Sequence, residues 1–413
     1  MIEIKRSVLP NGLIVLTHEM PWVHSVYLLI GVKYGSALDP IGLEGMAHFI
    51  EHTVFKGTTN RSYEQIDTAI EDRGGILNAY TGEQSTCYVV KVVDSDLSIA
   101  WDVLSDIVIH PTFPENEIEK EKGPIIEEIK SYEDDDDNII NLNLDSIMFP
   151  GASFSRKICG SEETVSRITR EDLARIWKKF YQPNNMMVVA VGNIKHETNL
   201  DFANEKFGQL SSQEITDNEI VPAETDPNKK EIIVFKPKIR QAKIMIGFKT
   251  IPYGANQRDT LALDLLADIL GGGMSSVLFT EIRGKRGLVY GVGASHAQNK
   301  FAGGFQISSQ FAPKKKEQII KLINEILTNI DDYITDERFN RAIANERAVY
   351  MFKLESNSFI AKAIFSDEDC NSLNQLSDFC KIVESITMDD LRRVAKEYLN
   401  PEKAFTSSIE PEK

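Results

Sequence analysis

His48, Glu51 and His52 fall within five positions of one another, in the stretch GMAHFIEHTVFKGT from residue 45 to 58. The pattern is H-x-x-E-H. On a helix, residues four apart share a face, so His48 and His52 can aim two imidazoles at one point. Two neutral imidazoles suit zinc, which takes three protein ligands and a water where it is catalytic. Such a water loses its proton near neutral pH. A carboxylate that is not itself a ligand can accept that proton, and Glu51 fits the part. A solvated helix face could also carry His and Glu. Met46, Phe49, Ile50 and Val54 argue for burial instead. Burying two histidines and a glutamate without a partner is costly, and a metal ion supplies one.

A third ligand, carboxylate or histidine, must come from elsewhere. Residues 115–138, ENEIEKEKGPIIEEIKSYEDDDDN, form a charged helical stretch. Glu121 and Glu128 are seven apart and share a face, while Ile118, Ile125, Ile126 and Ile129 mark a buried side. Most glutamates there are expected to face water. Gly123-Pro124 interrupts the run, and proline inside a helix removes a hydrogen bond, so a kink or a new helix start at Pro124 is expected.

The elements that position these residues follow from periodicity and breakers. A helix is expected over about 43–56, ending at Gly57. A second opens with a Ser62/Gln65 capping box and closes at Gly74-Gly75. Strands around 76–80 and 85–92 and a helix around 95–108 follow. The second half repeats that order. Its helix over 258–270 ends at Gly271–Gly273, a Ser275-led helix follows, then strands around 288–294 and 303–310 and a helix over 314–329. The polar, proline-bearing segment 211–230 reads as a linker. The expected architecture is α+β: two related domains, 1–210 and 231–413, each an antiparallel sheet with helices on one face. The second-half helix LALDLLADIL has no histidine, so only the first copy carries the motif.

Composition narrows the function classes. The 413 residues are too many for one ordinary core. With 42% hydrophobic and 26% charged residues the chain reads as globular and soluble. Sixty-two acidic against 46 basic residues leave a charge of −16, which argues against nucleic acid as a partner. No apolar run reaches the roughly 18 residues that would span a bilayer. The N-terminus, MIEIKRSVLPNGLIVLTHEM, reads as strand, Pro-Asn-Gly turn and strand rather than a signal peptide, and a cytoplasmic protein is expected. Cys87, Cys159, Cys370 and Cys380 have no C-x-x-C spacing, so neither disulfides nor a cysteine metal site is expected. Asp134–Asp137 lacks the spaced ligands and glycine of a calcium loop. His18, His24, His110, His196 and His296 have no metal spacing, and Gly287, Gly291 and Gly293 form no dinucleotide fingerprint.

The chain resembles the M16 metallopeptidases, the inverted-zincin group that includes pitrilysin, insulin-degrading enzyme and the mitochondrial processing peptidase. The likeness covers essentially the whole chain, and its length matches the short bacterial-type branch. In that family H-x-x-E-H is followed about 76 residues later by a glutamate, and counting from His52 reaches Glu128 in PIIEEIK. The resemblance therefore implies His48, His52 and Glu128 as ligands of one zinc ion and Glu51 as catalytic base. It implies Glu121 as a hydrogen-bond partner of a ligating histidine. GGILNAYTGEQST, 74–86, resembles the family's N-A-x-T edge strand, implying that Asn78, Ala79 and Thr81 bind substrate; spacing alone indicates an ordinary strand. LFTEIRGKRGLVYGV resembles an arginine–tyrosine pair seven apart that contacts substrate and transition-state oxygens. Arg283 and Tyr290 match it, whereas an R-x-x-x-Y spacing would select Arg286.

What the resemblance implies is a zinc endopeptidase that cuts peptides or unfolded polypeptides, working as a homodimer that encloses a chamber. A selective presequence-processing peptidase shares all of these residues. A non-catalytic scaffold is the reading from another class. Such relatives lose zinc ligands, and here all four motif residues are present.

Overall fold

A computed structural model describes residues 2–216, 220–223, 229–373 and 375–412. Residues 217–219 and 224–228 of the expected linker lie outside the described residues. The chain gathers into two compact bodies. The first holds Met1–Ser131, Arg156–Val221 and Phe352–Ser377; the second holds Tyr132–Ser155, Pro222–Met351 and Asp378–Lys413.

The first body is built on six strands: β1 (Lys5–Val8), β2 (Ile14–Glu19), β3 (Ser25–Val32), β4 (Ile76–Thr81), β5 (Thr86–Val93) and β6 (Met186–Gly192), in the order β1-β2-β6-β3-β5-β4. The second has β7 (Glu231–Lys236), β8 (Ala242–Thr250), β9 (Val289–Gln298), β10 (Gly303–Phe311) and β11 (Phe405–Pro411), in the order β7-β11-β8-β10-β9. With β1 set aside, the two orders coincide. The directions coincide as well. In each sheet the first and last strands of the repeat lie parallel, β2 with β6 and β7 with β11, and the other pairs run antiparallel. The expected antiparallel sheets are thus mixed, with one parallel pair each. A parallel neighbour needs a long crossover, and each body supplies one between its first and last strands.

Helices cover both faces of each sheet, not one as expected. On the first sheet, α1 (Met46–Thr53), α2 (Tyr63–Glu71) and α3 (Leu97–Ile109) pack into a core with Val26, Leu28, Ile30, Tyr88 and Val90. The helix Asn357–Asp369 lies on the other face, over β3 and β6. In the second body the helix Gln257–Gly271 packs with Ile244, Ile246 and Phe305. The helix Asp136–Met148 covers Met245, Phe405 and Ile409 on the opposite face. So 132–155 and 352–377 each belong to the body that their position in the chain does not indicate. A helix's periodicity shows that it has an apolar side, not which distant strand will meet it.

The positioning elements form near the expected breaks, although the helix expected over 43–56 is α-helical only over Met46–Thr53, after a left-handed Gly45. The Ser62 capping box that opens α2 is complete, with both reciprocal bonds to Gln65. No new helix starts at Pro124: α4 (Glu115–Asp134) runs through Gly123-Pro124 as one helix of 20 residues. Ile118, Ile125 and Ile129 are buried on either side of the proline, and that packing outweighs one missing backbone bond.

Candidate metal centre

α1 starts at Gly45, whose φ of 95° is left-handed and whose missing side chain leaves no local cap. A Cβ there would stand 2.6 Å from the Cys159 carbonyl oxygen. Met46, Ala47, Phe49, Ile50 and Thr53 are buried, which turns His48, Glu51 and His52 along the remaining side of the helix. α4 crosses that side with Glu121 and Glu128.

Three atoms converge. His48 Nε2 and His52 Nε2 are 3.2 Å apart, and Glu128 Oε2 lies 3.6 Å from each. Ligands about 2.0–2.1 Å from a tetrahedral zinc ion stand roughly 3.4 Å from one another, so the triangle has the size such an ion requires. Among the described residues this is the cluster of three metal-ligating side chains that meets at one point. The His52 ring gives its other nitrogen, Nδ1, to Glu121 Oε1 at 2.9 Å. Donation there leaves Nε2 with its lone pair facing His48 and Glu128. Two imidazole lone pairs and a carboxylate oxygen set face to face repel one another, and a cation relieves them. The buried Nδ1 of His48 has no hydrogen-bond partner.

The electrostatics set the two histidines apart. Burial, followed by the neighbouring His52, pushes His48 down to about 4, so its imidazole is neutral. Burial alone would lower His52 too, but the Glu121 bond and the surrounding carboxylates raise it above its usual value. Burial opposes ionisation of Glu121, yet His52 and Lys56 together hold it below the usual carboxylate range. Lys56 Nζ sits 2.7 Å from Glu121 Oε2.

Glu51 lies outside the triangle. Burial raises its pKa, and the Thr81 hydroxyl, donating to Oε2 at 2.6 Å, pulls it back. Thr81 ends β4, an edge strand that pairs antiparallel with β5 in register from Ile76↔Lys91 to Thr81↔Thr86. Asn78 is exposed on that strand and Ala79 is half-buried.

Arg283 and Tyr290 lie in the second body. The Arg283 guanidinium stacks 5.4 Å from the Tyr290 ring centroid and 4.7 Å from that of Phe279. Tyr290 is 76% exposed. Arg286 instead bonds the Glu281 carbonyl at 2.6 Å and pairs with its carboxylate at 3.0 Å. The seven-residue spacing thus joins an arginine to the tyrosine, and residues 279–284 form a π-helical turn before β9.

Four of the other histidines have hydrogen-bond partners, and His18 is one of them, bonded to the Glu3 carbonyl at 2.9 Å. His196 bridges Thr17 and Ser7, His110 meets Asp106, and His296 lies between Asp264 and Thr250. Asp135 caps the helix that follows it, while Asp136 and Asp137 pair with Lys236 and Lys243. Cys87 and Cys159 are buried, and Cys370 and Cys380 are partly buried. Sequence reasoning missed Lys56, the Thr81–Glu51 bond and Asp39. Lys56, four residues after His52, could have been noticed by helical spacing. The other two depend on long-range contacts.

Residues 14–162 match the family model described as Insulinase (Peptidase family M16), and residues 167–346 match Peptidase M16 inactive domain. An uncharacterized zinc protease of Streptomyces coelicolor is 30% identical over 404 residues, 96% of this chain and 87% of that protein. The zinc protease YmxG of Bacillus subtilis is 31% identical over 356 residues, 86% of this chain and 85% of that protein. A protease from Helicobacter pylori shares the fold with a TM-score of 0.91 at 22% identity, over 100% of both chains. A putative M16-like peptidase from Alicyclobacillus acidocaldarius does so at 0.85 and 21%, over 100% of this chain and 99% of that one.

Proposed function

Because the chain belongs to the M16 peptidase family, we propose that it is a zinc-dependent endopeptidase acting on peptides or unfolded polypeptides. One observation carries the reading: the converging triangle of His48, His52 and Glu128, with Glu51 held beside it by Thr81. The second half has no counterpart of the motif, which agrees with the description of its family model as an inactive domain.

His48, His52 and Glu128 are the residues that would hold one zinc ion. When bound, that ion polarises a peptide carbonyl and acidifies a water. The rest falls to side chains of this chain. Glu51, fixed at Oε2, takes the proton of the attacking water at Oε1 and returns it to the departing amine nitrogen. Glu121 keeps His52 in the tautomer that leaves Nε2 unprotonated. The substrate adds as a strand along the free edge of β4, with Asn78, Ala79 and Thr81 beside it. Arg283 and Tyr290 give a cation and a hydroxyl for the peptide and its developing oxyanion. The resemblance adds a homodimer enclosing a chamber, and hence substrates slim enough to enter.

The test is hydrolysis of a mixed library of quenched fluorescent peptides by the wild-type chain beside Glu51→Gln. Activity that disappears in the variant and in chelator is the expected result, and the cleaved bonds separate broad degradation from single-site processing. Equal activity in the two proteins would overturn the role of Glu51. No activity in either shifts the reading to a scaffold or to a processor whose substrate the library lacks.

A further inference from the structure

The reading of the metal centre leaves one buried acid unused. Asp39 is 4% exposed, and burial pushes its carboxyl up to about 7 against the pull of its hydrogen bonds. Such a group is costly to keep in a core. Its partners indicate what it does there. Oδ2 accepts the Gly45 N–H at 2.8 Å, and Oδ1 accepts the Ala47 N–H at 3.0 Å and the Tyr34 hydroxyl at 2.8 Å. The two N–H groups are donors at the start of α1, where a helix leaves its first N–H groups without internal partners.

A serine, threonine or aspartate at the N-cap usually fills that need. Here the N-cap is Gly45, and the left-handed backbone and the Cys159 carbonyl exclude a side chain. Capping therefore passes to a residue six positions upstream. His48 follows Ala47 directly. α1 has only eight residues, about 12 Å, so whatever fixes its first turn also sets where both imidazoles point.

Tyr34 extends the same frame to the base. It is fully buried, its ring stacks on Phe180 with centroids 4.2 Å apart, and its carbonyl accepts the Thr86 hydroxyl at 2.9 Å. Thr86 Oγ1 stands 3.5 Å from Thr81 Oγ1, the hydroxyl that holds Glu51. The Asp39 loop is itself strapped by Arg156, which donates to the backbone carbonyls of Ala37 at 3.2 Å and Asp39 at 3.4 Å.

We propose that Asp39 is a positioning residue for the metal centre: its carboxylate, tied to Tyr34, fixes the first turn of α1 and thereby the aim of His48 and His52. This rests on the reading of those histidines as metal ligands. The test is metal binding by apoprotein of the full chain in four forms: wild type, Asp39→Asn, Asp39→Ala and Tyr34→Phe. Zinc affinity is read by competition with a chelator, coordination geometry by the visible absorption of the cobalt-loaded protein, and folding by circular dichroism. The expected result is folded variants whose zinc affinity falls about tenfold or more, as for other groups that orient ligands, with altered cobalt bands. Asparagine, which keeps one acceptor oxygen, should fall between wild type and alanine. Folded Asp39 variants with wild-type affinity and spectrum overturn the proposal, even if they melt earlier, because a plain structural cap would behave so. If the Asp39 variants do not fold, Tyr34→Phe decides: weaker zinc binding supports the proposal and unchanged binding overturns it. A wild-type chain that binds neither ion overturns the metal-site reading first, and this inference with it.

Discussion

Thr81 donates its hydroxyl to Glu51 Oε2 at 2.6 Å. The bond runs from an edge strand to the fourth position of the H-x-x-E-H motif, so the strand read as a substrate ledge also holds the proposed base. Burial raises the Glu51 pKa and this bond opposes it. Thr81→Val keeps the side chain's shape and removes the donor. It should lower kcat about tenfold, within the usual contribution of a positioned acid or base, and change KM little. Thr81→Ser should restore most of the rate. Steady-state kinetics on one fluorogenic peptide decide it, and a loss confined to KM would return Thr81 to a substrate-binding role.

Glu121 should act on affinity for the ion before it acts on rate. It takes the Nδ1 proton of His52 at one oxygen and Lys56 at the other. Glu121→Gln keeps an oxygen for the histidine but loses the charge. Zinc binding should weaken about 10- to 100-fold, the usual effect of removing such a partner. Chelator competition measures it. Unchanged affinity would mean that the His52 tautomer is set by the ligand cluster alone.

Much of this site was legible before any coordinates. Residues 43–56 read as a helix by their apolar spacing, Ser62 and Gln65 announced the next helix, and the two strands that follow lie where the turn residues bound them. The spacing implied by the family resemblance, counted from His52, pointed to Glu128, which meets the histidines at 3.6 Å. Pro124 begins no new helix, because a rule about one backbone bond says nothing of the isoleucines that bury the helix around it. Helices on both faces were missed, although β3 and β6 carried a signal. SVYLLIGV and MMVVAVG run apolar without alternation, the mark of strands covered on both sides. What no local pattern could give is the identity of the cover, the helix Asn357–Asp369, more than 160 residues beyond β6.

That cover leads to a stability prediction. A Cβ at Gly31 on β3 would intrude on the Phe365 ring, a side chain only 3% exposed. Gly31→Ala should destabilise the chain by about 1–3 kcal/mol, the range for overpacking a filled core. Thermal denaturation measures it. Combining it with Phe365→Leu should recover part of the loss, because the two sites share one contact. Strictly additive losses would show that the helix yields elsewhere.

A pH prediction comes from the edge of the first sheet. Glu19 on β2 pairs with Lys195 at 2.8 Å and Lys5 at 2.9 Å, tying down β1 and the start of the helix His196–Phe207. Bonds from Lys195 and Lys5 pull its carboxyl down to about 2. A depressed folded value means that the unfolded chain binds the proton more readily. The stabilisation is therefore full above about pH 4.5 and is lost as pH falls toward 2. Taken whole, the shift would be about 3 kcal/mol; Lys5 and Lys195 stand largely in water, and solvent screening reduces the expected value to about 1 kcal/mol. Glu19→Gln should thus melt earlier than wild type at pH 7, and the gap should narrow between pH 4 and pH 2. High salt at pH 7 should narrow it too, since exposed pairs are screened. A gap that ignored both pH and salt would assign the loss to packing of the Glu19 stem against its neighbours, not to its charge.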